Sequence, residues 1–215
     1  ANDEALACFY RATELDPNFA SAWGLASRCY SQRKACGWMA DRDRETAEAE
    51  RTARRAADLG KDDALALCTA GMAIAYVACN PVHGRALIDR ALQLNPNLAW
   101  AWLFSGWANI WYGEPEVGIE RAARAMRLGP HDPQMVAMEA ATAYGHFFAG
   151  RFDQASKWAE MSIAEHPDLA LPFGALVASR AMTGRQSQAE AALAHALFHH
   201  RQQIVAFEFV NAGVH

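Results

Sequence analysis

The sequence predicts an all-α fold in which antiparallel helix pairs stack in series as an α-solenoid. Three observations carry this. One pattern recurs along the 215 residues, most clearly in the 34-residue stretch from Asn97 to Pro130, NLAWAWLFSGWANIWYGEPEVGIERAARAMRLGP. Each unit has small residues where two helices would cross, such as Gly106 on the first helix and Gly118 and Ala125 on the second. Each unit tends to end on a helix stop, here Gly129-Pro130.

Taken in order, residues 1–17 read as the second helix of a unit, with Ala5, Phe9, Ala12 and Pro17 at its spacing. Its first helix is missing. An array cut through a unit exposes apolar surface, so the chain is expected to begin inside a longer protein, with a shared dimer surface as the alternative.

Residues 20–61 form an enlarged unit. Trp23, Ala26, Ser27 and Tyr30 lie on its first helix, and Ala49, Ala53 and Ala56 on its second. Its middle segment, RKACGWMADRDRE, adds about ten residues. The addition either lengthens both helices or makes a protruding loop. Glu50 and Arg54 have the favourable spacing for a helical ion pair. Lys61 stands where a proline usually terminates the unit, and Gly60 supplies the stop instead.

Residues 62–96 follow, with Leu67, Ala70, Gly71 and Ile74 on the first helix, an Asn80-Pro81 turn, and Gly84, Ile88 and Ala91 on the second. In residues 97–130, Trp102 is expected between this pair and the one before it. Residues 131–167 are slightly longer, with Thr142, Ala143 and His146, a turn at Gly150-Arg151-Phe152-Asp153, then Ala155, Ala159 and Ser162. Residues 168–201 carry Phe173, Leu176 and Val177, then Gly184, Ala189, Leu193 and Ala196. The tail, 202–215, includes IVAFEFV and reads as either a capping helix or an extended segment.

These units resemble tetratricopeptide repeats, a resemblance that implies a right-handed superhelix with the first helices lining a concave groove. The phrases FASAWGLASRCYSQRKACGW, LGKDDALALCTAG, ALIDRALQLNPNLAWAWLFSGW, GEPEVGIERAARAMRLGPHDP and HFFAGRFDQASKWAE are similar to the C-terminal repeat regions of alphaproteobacterial signalling proteins. Such proteins carry an adenylate cyclase-like or winged-helix domain upstream. No cyclase metal motif or DNA-contacting motif lies in this chain.

Composition agrees with a folded protein, since 52% of residues are hydrophobic and 20% charged. The net charge of −4, from 20 basic and 24 acidic residues, opposes a phosphate-binding surface, so no nucleic acid is expected as partner. Five cysteines, Cys8, Cys29, Cys36, Cys68 and Cys79, contain no CxxC. Cys8, Cys29 and Cys68 fall in apolar helical patterns and read as buried, reduced thiols of a cytoplasmic protein. The uncharged runs 64–82 and 98–113 read as buried first helices and not as membrane spans.

The sequence has no phosphate loop, nucleophile elbow, HExxH helix or dinucleotide fingerprint, so no enzyme, cofactor or metal site is expected. His195, His199 and His200 lack a nearby carboxylate and read as a solvated helix end. His146 reads as a packed histidine. Glu114, Glu116 and Glu120 suit the positive end of a helix.

The aromatic residues are more informative. Trp100, Trp107 and Trp111 share one helical stripe, with Leu103 and Phe104 near it. By the register of the neighbouring units, Met72, Tyr76, Tyr144 and Phe148 lie beside the stripe and Arg28 at one end. The stripe is either packing between units or a groove that anchors a protein or peptide segment, with self-association as a further role. The first helices lack the Lys, Asn and Arg set with which related repeat domains clamp an acidic C-terminus. An enzyme assembled across repeats, using His146 or the terminal histidines, and a helical-repeat RNA reader are the alternatives.

Overall fold

The structure is a computed structural model and describes residues 2–167 and 169–199. Among these residues it is entirely helical, with eleven α-helices. They are α1 (Asn2–Leu15), α2 (Ala20–Cys36), α3 (Arg42–Leu59), α4 (Ala64–Tyr76), α5 (Pro81–Leu94), α6 (Ala99–Tyr112), α7 (Pro115–Leu128), α8 (Met135–Phe148), α9 (Phe152–Glu165), α10 (Leu171–Met182) and α11 (Gln186–His199). From α2 onward, consecutive helices pair as antiparallel hairpins. The tail at 202–215 and His200 lie outside the described residues.

The stack curves. α2, α4, α6, α8 and α10 touch one another in series, while the odd-numbered helices pack mainly on their chain neighbours. The even-numbered helices therefore form the inner, concave layer. The chain is an α-solenoid of tetratricopeptide type.

Backbone contact within each pair explains the small residues. A Cβ on Gly71 would lie 2.7 Å from the Gly84 carbonyl oxygen, and one on Gly84 would lie 2.5 Å from that of Gly71. α4 and α5 thus cross backbone to backbone. α6 and α7 meet the same way at Gly106 and Gly118, although Ala122, and not the expected Ala125, supplies the next nearest atoms to Gly106.

Turns repeat too. Between units, Asp16, Asn95 and Asp132 each accept the backbone N–H two residues on, at 2.9, 3.0 and 2.7 Å. Within units, Gly37, Gly113, Gly150 and Gly184 take positive φ. Cys79 holds that place between α4 and α5, with φ of 54°.

The enlarged unit lengthens its helices: α2 has 17 residues and α3 has 18, against 14 in each of α6 and α7. The buried Glu45 fastens the added turn. It accepts the Ala40 N–H at 2.9 Å and pairs with Arg33 at 2.9 Å. Gly60 stops α3 without a left-handed cap, at φ of −98°. It is small because Ala66 and Ala20 press on it.

Trp102 reaches the unit before it, and it packs on the cluster that holds Ala91 and Leu92. Its indole N–H donates to the Pro96 carbonyl at 2.8 Å and Arg121 of its own unit covers its ring at 4.9 Å. Trp23 makes the equivalent contacts with Pro17 and Arg51. These tryptophans seal the turn at the start of a unit.

No helix of the described residues is long and apolar enough to cross a membrane. α4 and α6 have 13 and 14 residues, about 20 Å each at the helical rise, against a hydrocarbon core of about 30 Å.

Candidate functional site

The α6 stripe becomes the middle of a row of rings across the concave layer. Helical spacing puts Trp107 and Trp111 one above the other, stacked with centroids 5.6 Å apart. Trp111 also stacks on Tyr76 of α4 at 4.9 Å, and Trp107 meets Tyr144 of α8 at 5.5 Å. Tyr144 continues to Phe148 at 6.5 Å. At the α2 end, the Lys34 ammonium sits 4.8 Å over Tyr76 and donates to its carbonyl at 2.6 Å. Each ring pair contributes about 0.5–1.5 kcal/mol beyond its area.

Depth varies along the row. Trp107 is 7% exposed, Tyr76, Trp111 and Tyr144 are half-buried, and Phe148 is 58% exposed. Burial raises the Tyr76 hydroxyl well above its ordinary value and pushes that of Tyr144 up to about 12, so both stay protonated. Gly174 on α10 admits Tyr144, because a Cβ there would lie 2.1 Å from its hydroxyl. Leu103 is buried in the core, and half-buried Met72 packs against it.

Arg28 and Trp100 form a second patch. The half-buried Arg28 guanidinium lies 5.6 Å from the Trp100 ring centre and 5.4 Å from that of Phe104. Its Nη2 donates to Gln134 Oε1 at 3.0 Å, while Nε is buried without a partner. Burial lowers its pKa, though a guanidinium remains charged. Among the described residues no carboxylate pairs with it.

The structure thus joins Tyr76, Trp107, Trp111, Tyr144 and Phe148 directly and sets Arg28 with Trp100. Lys34 and Gln134 are partners that the sequence reading did not single out. Lys34 stands 42 positions before Tyr76, the same offset as Ser27 before Thr69, and so had a register signal. Gln134 had none, because its contact depends on curvature over 106 positions.

The polar residues elsewhere are mostly tied into the fold. His146 Nδ1 accepts from Arg151 Nε at 2.9 Å, and Arg151 pairs with Glu116. Burial, then Arg151, lowers the His146 pKa. His195 stacks on Phe173 at 5.3 Å. Among the described residues no three His, Cys, Asp or Glu side chains gather as a metal site. All five cysteines are free. Cys29 and Cys68 are buried, with the Cys68 thiol pushed up to about 12 chiefly by burial. Cys8 is exposed, contrary to expectation, because its side of α1 does not face the stack.

A tetratricopeptide-type solenoid with a ring-lined concave face is the class these features define. Solved structures share that fold. The chain superposes on "Crystal structure of APC/C hetero-tetramer Cut9-Hcn1" with a TM-score of 0.73 at 15% identity, covering 100% of this chain and 40% of that one. For "Crystal structure of PilW, widely conserved type IV pilus biogenesis factor" the TM-score is 0.65 at 19% identity, over 98% and 90%. For "MamA 41-end from Desulfovibrio magneticus RS-1" it is 0.58 at 16% identity, over 84% and 97%. No protein-family model matches the sequence, and no curated protein is significantly similar to it.

Proposed function

We propose that the chain is a non-catalytic protein-interaction module whose concave face takes up a segment of a partner protein. The observation that carries this is the unbroken row from Lys34 through Tyr76, Trp111, Trp107 and Tyr144 to Phe148, which ends in an exposed ring. The inner rings hold the face rigid. Trp111, Tyr76, Phe148 and Met72 offer the apolar surface that a segment would cover, and aromatic anchors bind at small entropic cost. Trp107 and Leu103 support them from beneath. A chain of the Cut9-Hcn1 hetero-tetramer has this fold, in keeping with this reading.

The phrases similar to alphaproteobacterial signalling proteins support a finer reading. The module would be the regulatory repeat region of a cytoplasmic signalling or transcription-regulatory protein. Capture of a segment, or of a second copy, would bias the attached domain.

The test is selection of short random displayed peptides on the intact chain, followed by calorimetry. Trp111→Ala should weaken the selected peptides about tenfold or more while the far-ultraviolet dichroism is unchanged. Equal binding to the variant rejects the groove.

A further inference from the structure

We infer that Arg28 anchors a side-chain carboxylate, Asp or Glu, of the captured segment, so the partner carries an acidic residue next to its apolar ones. The inference rests on the interaction-module reading.

Most of the other partly buried arginines set the standard, with Arg121 over the Trp102 ring as the exception among the described residues. Arg33, Arg85, Arg151, Arg180 and Arg185, each largely or partly buried, all pair with an acid. Arg28 stands on the concave layer without one. Its charge is desolvated against Trp100 and Phe104, which compensate only in part. Among the described residues its one hydrogen bond goes to a neutral amide oxygen, that of Gln134. Nε has no partner. Nη1 makes no hydrogen bond among the described residues and is not sealed from solvent. A carboxylate reaching Nη1 would supply the missing anion, and one that displaced Gln134 would engage Nη2 as well, in the forked geometry that favours arginine.

The occupant is an internal side chain and not a chain end. Capture of a terminal carboxylate needs several converging donors. Arg28 is a single cation between two rings, and Lys34 is already held by backbone carbonyls of Tyr76 and Val77. The rings on the same face suit the apolar neighbours of the acid.

The selected peptides provide the test. Each is measured as it stands, with its Asp or Glu changed to Asn or Gln, and with its C-terminus amidated. On the natural chain the neutral form should bind about tenfold more weakly. Arg28→Gln should bind acidic and neutral forms alike, and Arg28→Lys should restore part of the preference. Amidation should change nothing. Should Arg28→Gln prove unfolded by dichroism, Arg28→Lys serves alone, because it keeps the charge and loses the fork. The inference is overturned if peptides without acids are selected equally well, if the Arg28 variants keep the full preference, or if amidation removes it. Those results leave the groove standing. Binding indifferent to Trp111→Ala is the separate result that removes the groove itself.

Discussion

Tyr76 and Trp111 lie face to face, with centroids 4.9 Å apart and planes 16° from parallel. They belong to successive units, so the contact ties α4 to α6 through side chains as well as through the helix crossing. Trp111 also stacks on Trp107, so one ring serves both contacts.

Depth along the row predicts unequal costs. Trp107→Ala should lower stability by about 3–5 kcal/mol, the range for emptying a large buried site. Phe148→Ala, at an exposed ring, should cost less than about 1 kcal/mol. Urea denaturation of both variants checks the contrast, and equal losses would contradict it.

Crossing distance should separate two glycines. Gly84→Ala would push a methyl against the Gly71 carbonyl and the Ala75 backbone nitrogen, at 2.5 and 2.7 Å. Neither can swing away, so a loss of about 1–3 kcal/mol is expected. At Gly106 the nearest atom is 3.1 Å away, and the gain in helix propensity of about 1 kcal/mol offsets most of the strain. Thermal unfolding of Gly84→Ala and Gly106→Ala should show the order.

Cys79 occupies the left-handed turn position held by glycine at Gly37, Gly113, Gly150 and Gly184. An L-residue there carries about 1–2 kcal/mol of backbone cost. Cys79→Gly should therefore raise stability by roughly 1 kcal/mol, less whatever the thiol contributes through its weak contacts near Lys34. A lower denaturation midpoint would refute this.

The helix pairs were readable because their cause is local. Gly71, Gly84, Gly106 and Gly118 mark crossings by their size, and Pro81, Gly113 and Pro115 mark the turns. The ring stripe on α6 was readable from spacing alone. Its depth was not: whether Trp107 is buried depends on how closely Tyr144 follows from the next unit. The polar contacts of Trp102 were not readable for a related reason. Its partners, Pro96 and Arg121, are set by the turn and by the α7 register, and a hydrophobic pattern does not record either.

His146 predicts a pH dependence. Its lowered pKa means that below the ordinary value of 6.5 the unfolded chain takes up protons before the folded one. Stability should thus fall with acidification between 6.5 and the folded value, as Nδ1 loses its capacity to accept from Arg151. His146→Gln should flatten this part of the profile. Melting temperatures of both proteins across the interval provide the measurement.

The bond between Arg28 and Gln134 crosses from α2 to the entrance of α8, past two intervening pairs. Serial arrays ordinarily melt piecemeal, since each module leans only on the next. A brace between distant modules makes opening of either end depend on the other. Amide exchange in α2 and α8 should accordingly speed up together when Gln134 is replaced by Ala, so the first half of this solenoid is expected to loosen as one block.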